Sequence, residues 1–326
     1  MHLFHTLEVE VTNYCNANCV FCANNSIRRK RGYISVESFQ KYMREMRVLL
    51  QQNYFYIMKI QGYPRINFCG LGEPLLHPDL GQLIRCAKLE GFYTQVVSNG
   101  ICLSEDKVLE LCKCGMDKIC LSIHSINPNH YKSITGVELS SFLLDIIKAI
   151  KICNQNGVEV NLWRIHHPVE ENRDTLEDEK MYEEFLNNSG LSNILTIGPS
   201  EPWYRDGVVP NSRCETVNDF PLWCNKLIFS DFIDWQGNIV LCCNDLNRET
   251  VRLGNVFNEQ FSYINLMKKK IEILLNDDKP SICRNCRRWK DTEILSIIES
   301  NNIEMSDFRN TVNSYLVENG GSLLAN

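Results

Sequence analysis

From residue 7 to about residue 198 the apolar positions switch repeatedly between two periods. Period-two stretches occupy Leu7 to Thr12, Arg65 to Cys69, Tyr93 to Ser98, Lys118 to His124, Val158 to Arg164 and Asn193 to Gly198, and each reads as a β-strand. Between them the apolar residues fall three and four apart. Val36, Phe39, Met43, Met46 and Leu50 form one such face, Leu80, Leu83, Ile84 and Ala87 a second, and Phe142, Leu143, Ile146, Ile147 and Ile150 a third, the spacing of helices with one buried side. Strands that alternate with helices predict an α/β architecture on a parallel sheet, either open and doubly wound or curved toward a barrel. In both, functional groups gather at the carboxyl ends of the strands.

Strand parity refines this. Leu7, Val9 and Val11 share one face while Glu8, Glu10 and Thr12 share the other; later, Ile119, Leu121 and Ile123 oppose Cys120, Ser122 and His124. A sheet face covered by helices must be apolar, so the polar sets are expected inside a curved sheet, around a polar lumen. For the first strand the alternative is an edge position with one face in water.

Past residue 198 the alternation stops. The run "GPSEPWYRDGVVPNSRCE" has the Pro, Gly and polar content of a linker or substrate-covering loop. Two β-rich pieces follow, joined at Gln236-Gly237-Asn238 as in a hairpin, then a helical stretch from about Phe261 to Leu275. The expected organisation is a first domain over 1–200, a linker over 201–223, a small α+β domain over 224–300 and a tail over 301–326. A net charge of −6 argues against a nucleic-acid partner. The run "RRKRG", Arg28 to Gly32, is a local exception, either a solvated loop or a docking patch for an acidic protein. No apolar run reaches membrane-spanning length, so the chain is expected in the cytoplasm.

The 16 cysteines then carry the chemistry, because clustered thiols in a reducing compartment point to metal rather than to disulfides. Cys69, Cys86, Cys102, Cys112, Cys114, Cys120 and Cys153 stand singly or on apolar faces and read as core. Cys15, Cys19 and Cys22 instead crowd directly after the first strand, and Cys214, Cys224, Cys242, Cys243, Cys283 and Cys286 cluster near the end. Four thiolates close a site, whereas three leave a metal coordination position open. Taken alone, the first cluster also suits a zinc loop.

"CNANCVFC" is followed, after the second strand, by "CGLGEP" and, after the third, by "SNG". This combination resembles the radical S-adenosylmethionine (SAM) family, and the resemblance covers residues 7 to about 198. It implies a partial (β/α)6 barrel in which Cys15, Cys19 and Cys22 hold a [4Fe-4S] cluster with one open iron. It also implies that Phe21 lies against the SAM adenine, that Gly70, Gly72 and Glu73 meet the methionyl amino group, and that Ser98 and Asn99 reach ribose and carboxylate. Ser122 and Arg164, at the ends of the fourth and fifth strands, are further implied SAM contacts. Reductive cleavage of SAM would then yield a 5′-deoxyadenosyl radical that abstracts hydrogen, with a flavodoxin- or ferredoxin-type protein as electron donor. Residues 224 to 286 resemble the SPASM or twitch extension of the same family. There Cys224, Cys242, Cys283 and Cys286 would bind one auxiliary [4Fe-4S] cluster, the hairpin turning at Gly237, with a zinc ribbon as the alternative.

The expected substrate is a small molecule of sugar or aminocyclitol type, since the first strand begins at residue 7 and leaves no room before it for a leader-peptide-binding domain. A peptide-modifying maturase is the second reading, and an iron–sulfur electron-transfer or scaffold protein a third from another class. The third is disfavoured because such a protein needs neither an open iron nor the GLGEP segment. Cys243, beside a ligand, is a candidate hydrogen-atom donor or alternative ligand; His166 and His167 follow the fifth strand within expected reach of substrate.

Overall fold

The computed structural model describes residues 6–44, 46–47, 64–165, 175–191, 195–198, 227, 230–243, 245, 251–258 and shorter stretches between 261 and 284. Cys214, Cys224, Cys286, His166 and His167, together with the 201–223 and 301–326 segments, lie outside the described residues.

Six parallel strands carry the first domain: β1 (Thr6–Val9), β2 (Arg65–Phe68), β3 (Tyr93–Ser98), β4 (Lys118–Ser122), β5 (Glu159–Ile165) and β6 (Leu195–Gly198). Helices intervene, namely α1 (residues 36–44), α2 (Leu80–Leu89), α3 (Glu105–Lys113), α4 (Pro128–Thr135), α5 (Leu143–Gln155) and α6 (Leu176–Ser189). All six strands start or end within three residues of the spans read from the pattern. The helical faces are buried as their spacing requires: Phe39, Met43, Leu80, Leu83, Ile84, Ala87, Ile146 and Ile150 are among the least exposed side chains. They pack on Leu7, Val9, Ile66, Phe68, Val96, Ile119 and Leu121 from the outer face of the sheet.

Three more strands, β7 (Ser230–Ile233), β8 (Asn238–Val240) and β9 (Arg252–Asn255), extend the same sheet, whose order is β6-β5-β4-β3-β2-β1-β7-β8-β9. β7 runs parallel to β1 in the register Thr6↔Ser230 to Val9↔Ile233, and β8 and β9 return antiparallel. The hairpin turns at Gly237, whose φ of 79° is one that glycine adopts without cost. β1 is therefore an interior strand, and the edge alternative for it is corrected. The polar parity set faces inward because its other side is already covered by helices.

Near the amino ends of the strands the lumen holds a charged layer. The Tyr93 hydroxyl donates to Glu159 Oε2 at 2.8 Å, Lys118 Nζ reaches Glu159 Oε1 at 2.5 Å, and the Arg65 guanidinium sits 5.5 Å from the Tyr93 ring centroid. The Lys118 contact, with the Tyr93 bond behind it, holds the Glu159 carboxyl below the usual range. Above this layer the lumen opens.

Candidate functional site

The cysteine loop begins where β1 ends, and it is tied down on three sides. Asn18 N–H donates to Thr135 O and Val20 N–H to Ile134 O, each at 2.9 Å, which fixes the loop to the end of α4. Glu73 N–H donates to Tyr14 O at 2.8 Å, joining the loop to the GLGEP segment after β2. Asn24 bridges the same two segments, its side-chain amide donating to Asn13 O at 3.0 Å and Leu71 O at 2.6 Å. Two glycines permit the approach. A Cβ on Gly72 would come within 2.2 Å of Thr12 O, and Gly70, at φ 140°, would press a Cβ to 2.8 Å from the Glu10 side chain.

Glu73 is fully buried and surrounded by donors. Its Oε1 accepts from Leu75 N–H at 2.9 Å and the Ser98 hydroxyl at 2.8 Å, and its Oε2 accepts from Asn99 N–H at 2.8 Å. Burial nonetheless pushes its pKa up to about 7, against the lowering effect of those bonds. A cation placed beside it would restore the ionised form. The Asn99 side-chain amide reaches Asn16 Oδ1 at 2.9 Å and Cys15 Sγ at 3.9 Å, so the SNG turn connects the Glu73 carboxylate to the cysteine loop.

Cys15, Cys19 and Cys22 line one cavity of about 390 Å³ with Phe21, Gly70, Gly72, Glu73, Ser98, Asn99 and Ser122. Burial, and after it the neighbouring Cys22 and Cys15 thiols, push Cys19 up to about 12; burial raises Cys15 too. Three thiolates together therefore need compensating positive charge, which iron supplies. Among the described residues no three His, Cys, Asp or Glu side chains converge tightly enough to hold a single metal ion. A four-iron cluster takes each thiolate on a different iron and needs no such convergence. The donor set, the glycine cradle and the buried carboxylate thus fit a cluster with SAM beside it.

Of the residues proposed from sequence, the structure gathers Phe21, Gly70, Gly72, Glu73, Ser98, Asn99, Ser122 and Cys243 around this cavity. Phe21 meets the ring of His124 edge-on at 4.9 Å. Arg164 is not brought there. It occupies the opposite parity of β5, 2 % exposed, with its guanidinium in a two-pronged ion pair to Glu179 of α6 at 2.8 and 3.0 Å and 4.4 Å from the Tyr182 ring. Its neighbour Trp163 takes the cavity face. Cys242 and Cys283 are both half-buried against the core.

Sequence reading overlooked other wall residues. Asn67 and Gln95 face the cavity from β2 and β3, where the strand parity already applied to the first and fourth strands finds them; Glu8 on β1 and His124 just beyond β4, members of the polar sets expected in the lumen, line it as well. Cys69, taken above as packing, also lines it, its thiol 3.7 Å from Glu8 Oε2. Two members of the basic run turn inward as well. Arg29 makes a bidentate pair with Glu10 at 2.6 and 2.5 Å, and Arg31 bonds Asn13 O, Asn24 Oδ1 at 2.8 Å and Asn24 O at 2.9 Å. Only Arg28 and Lys30 of the four are exposed, so the run is neither a wholly solvated loop nor a continuous basic patch.

Comparison with known proteins agrees with this geometry. The Radical SAM superfamily model matches residues 9–180, and an iron-sulfur cluster-binding domain model, SPASM, matches residues 224–287. The chain belongs to the radical SAM superfamily: it is a radical SAM enzyme with a C-terminal SPASM domain, and its cofactors are [4Fe-4S] clusters and SAM. It is 26% identical over 143 residues to a PqqA peptide cyclase of Streptomyces rochei, covering 44% of this chain and 36% of the relative. It is 24% identical over 210 residues to a GTP 3′,8-cyclase of Clostridium botulinum, covering 64% and 61%. The chain thus spans less than two thirds of these relatives. Among solved structures, Streptococcus suis SuiB bound to the precursor peptide SuiA superposes with a TM-score of 0.58 at 14% identity, covering 87% of this chain and 71% of that one. BtrN in complex with AdoMet and 2-DOIA gives 0.50 at 17%, covering 88% and 94%. No helix among the described residues is long and apolar enough to cross a membrane.

Proposed function

We propose that this enzyme cleaves SAM reductively and abstracts hydrogen from a polar small molecule of sugar or aminocyclitol type. The observation that carries the SAM half is the Glu73 carboxylate, buried among three donors and linked through Asn99 to Cys15. An ammonium group suits it, since hydrogen bonds between ionised partners are the strong ones. Phe21 offers a flat face for the adenine, and Ser98 and Asn99 offer polar groups for ribose and carboxylate. Cluster and SAM together supply a 5′-deoxyadenosyl radical. Glu8, Asn67, Gln95 and Ser122 then present hydrogen-bonding groups to a hydroxylated substrate, and Trp163 an apolar surface for its ring. Cys224, Cys242, Cys283 and Cys286 would hold one auxiliary cluster, which would supply an electron acceptor for oxidation.

Anaerobically reconstituted protein is expected to bind roughly eight irons, from two four-iron clusters. Changing Cys15, Cys19 and Cys22 together to Ala should remove about half of them and all SAM cleavage. An unchanged iron count, or zinc in place of iron, overturns this reading.

A peptide substrate is the second reading, favoured by the likeness to SuiB with its bound precursor peptide and to the PqqA peptide cyclase. Cys243, on the cavity wall, distinguishes the chemistries. An epimerase needs a thiol to return hydrogen to the substrate, whereas a dehydrogenase does not. With substrate in heavy water, solvent deuterium at an inverted carbon in the wild type but not in Cys243→Ala supports epimerisation. An oxidised product formed equally by both supports dehydrogenation.

A further inference from the structure

Strand register lays out the deeper wall of the cavity. Glu8 stands opposite Asn67, Asn67 opposite Gln95 and Gln95 opposite Lys118, so four neighbouring strands carry one polar row across the inner face of the sheet. Phe232 flanks Glu8 on the other side, from β7. Glu8, Asn67, Gln95 and Phe232 line the cavity, and the three polar ones are half-buried. Lys118, the basic member of the row, is not among the lining side chains; its ammonium lies 2.5 Å from Glu159. The charge of the wall is therefore one-sided. Three carboxylates, Glu8, Glu10 and Glu73, line the cavity, and among the described residues no Lys or Arg does. Two of the three have their cations: Arg29 grips Glu10 at 2.6 and 2.5 Å, and Glu73, in its nest of donors, suits the SAM ammonium. Glu8 is the third, at the end of the amide row, its Oε2 3.7 Å from the Cys69 thiol.

We propose that Glu8 selects a protonated amine on the substrate while Asn67 and Gln95 bond its hydroxyl groups, so that the enzyme takes an amine-bearing cyclitol or sugar and rejects phosphorylated or carboxylated ones. A cleft walled by one sign of charge concentrates the opposite sign, because its low-dielectric walls focus the field. A phosphate or carboxylate brought into it would shed its water against carboxylates, with no Lys or Arg of the described wall to receive it. An ammonium has only donors and Glu8 offers acceptors, whereas the Asn67 and Gln95 amides offer both kinds and so match hydroxyl groups, which are both. Trp163 and Phe232 add apolar surface for the carbon ring. Charge thus decides between compounds that shape alone would admit equally.

This inference rests on the sugar or aminocyclitol reading of the substrate, and its test is a binding measurement that does not depend on turnover. Reconstituted full-length protein, with SAM present and no reductant, is titrated by calorimetry with two matched pairs, glucosamine against glucose and streptamine against scyllo-inositol, and with glucose 6-phosphate. The proteins compared, at equal iron content, are the wild type, Glu8→Gln and Glu8→Asp. In at least one pair the amine is expected to bind the wild type about tenfold or more tightly than its hydroxyl counterpart, as a hydrogen bond between charged partners gives, with glucose 6-phosphate weakest. Glu8→Gln should bring the two members of that pair to within about twofold, and Glu8→Asp, which keeps the charge, should keep the preference. The wild-type ranking needs no variant, so it decides the charge preference even if Glu8→Gln loads no iron. Equal binding within both pairs, tightest binding of glucose 6-phosphate, or an amine preference that survives Glu8→Gln overturns the role of Glu8 and leaves a sugar-type substrate standing. Absence of binding by every compound strikes the sugar or aminocyclitol reading together with it.

Discussion

A carboxylate in a pocket of donors is a choice between two protonation states, and Glu73 shows both sides of it. Burial lifts its pKa from 4.5 to about 7, so the folded apoprotein binds a proton there that the unfolded chain has already released. The sign follows: between about pH 4.5 and 7 the native state holds more protons than the unfolded one, so rising pH lowers stability through this group, by an amount on the order of 3 kcal/mol in all, and the loss levels off above pH 7. Thermal midpoints of apoprotein and of Glu73→Gln, followed from pH 5 to 8.5, should converge or cross as pH rises; parallel curves would remove the titration from Glu73. In reconstituted enzyme the same substitution should keep both clusters and weaken SAM binding by about 1.5–3 kcal/mol, the range for a hydrogen bond to a charged group. Equilibrium dialysis with labelled SAM measures it.

Single elements are held by contacts whose removal differs greatly in cost. Glu10, directly after β1, has 2 % side-chain exposure and faces Arg29 at 9 %. Arg29→Ala strands that carboxylate without its cation, and chemical denaturation should register a loss of about 3–5 kcal/mol. Lys30→Ala, one residue further on the exposed side of the loop, should stay within about 0.5 kcal/mol. The GLGEP segment has the opposite sensitivity, to added atoms. Gly72→Ala drives a methyl into Thr12 O and Tyr14 O, at 2.2 and 2.7 Å, and both are backbone atoms of the cysteine loop. Iron content should fall along with stability, because the segment and the loop can no longer close on each other.

Across the whole molecule, the SPASM hairpin and the barrel share one sheet. Glu10 N–H donates to Ile233 O at 2.8 Å, and β7 covers the side of β1 that β2 does not. Trp235, in the hairpin turn, donates to Lys30 O at 3.3 Å and covers Gly32, so the basic loop is braced from the second domain. Lys270 and Asp231 form a buried ion pair behind β7. A fragment ending at residue 200 would expose β1 as an unpaired edge beside a half-made cysteine loop. It should be recovered mainly as aggregate, while the full chain remains soluble at equal concentration; a monodisperse fragment that loads four irons would show that the first domain stands alone.

What the amino-acid sequence determined by itself was periodic or local. Strands and helices followed from apolar spacing, because burial of one face imposes period two or 3.6 wherever the element sits. Cys15, Cys19, Cys22, Gly70, Gly72, Glu73, Ser98 and Asn99 were legible because each stands in a short motif just beyond a strand, where topology leaves little freedom. Tertiary structure alone decided what depends on a partner far along the chain. Arg164 has the right strand and the wrong face, held by Glu179 fifteen residues on. Cys69 looked like packing until curvature of the sheet turned it toward Glu8, 61 residues away. Arg29 and Arg31 read as solvent-facing charge, yet closing of the loop brought acceptors to them 19 and 18 residues earlier. Nor does any local pattern say that a hairpin at residue 230 will pair with the strand at residue 6, since sheet register between distant segments is settled only when the chain folds back upon itself.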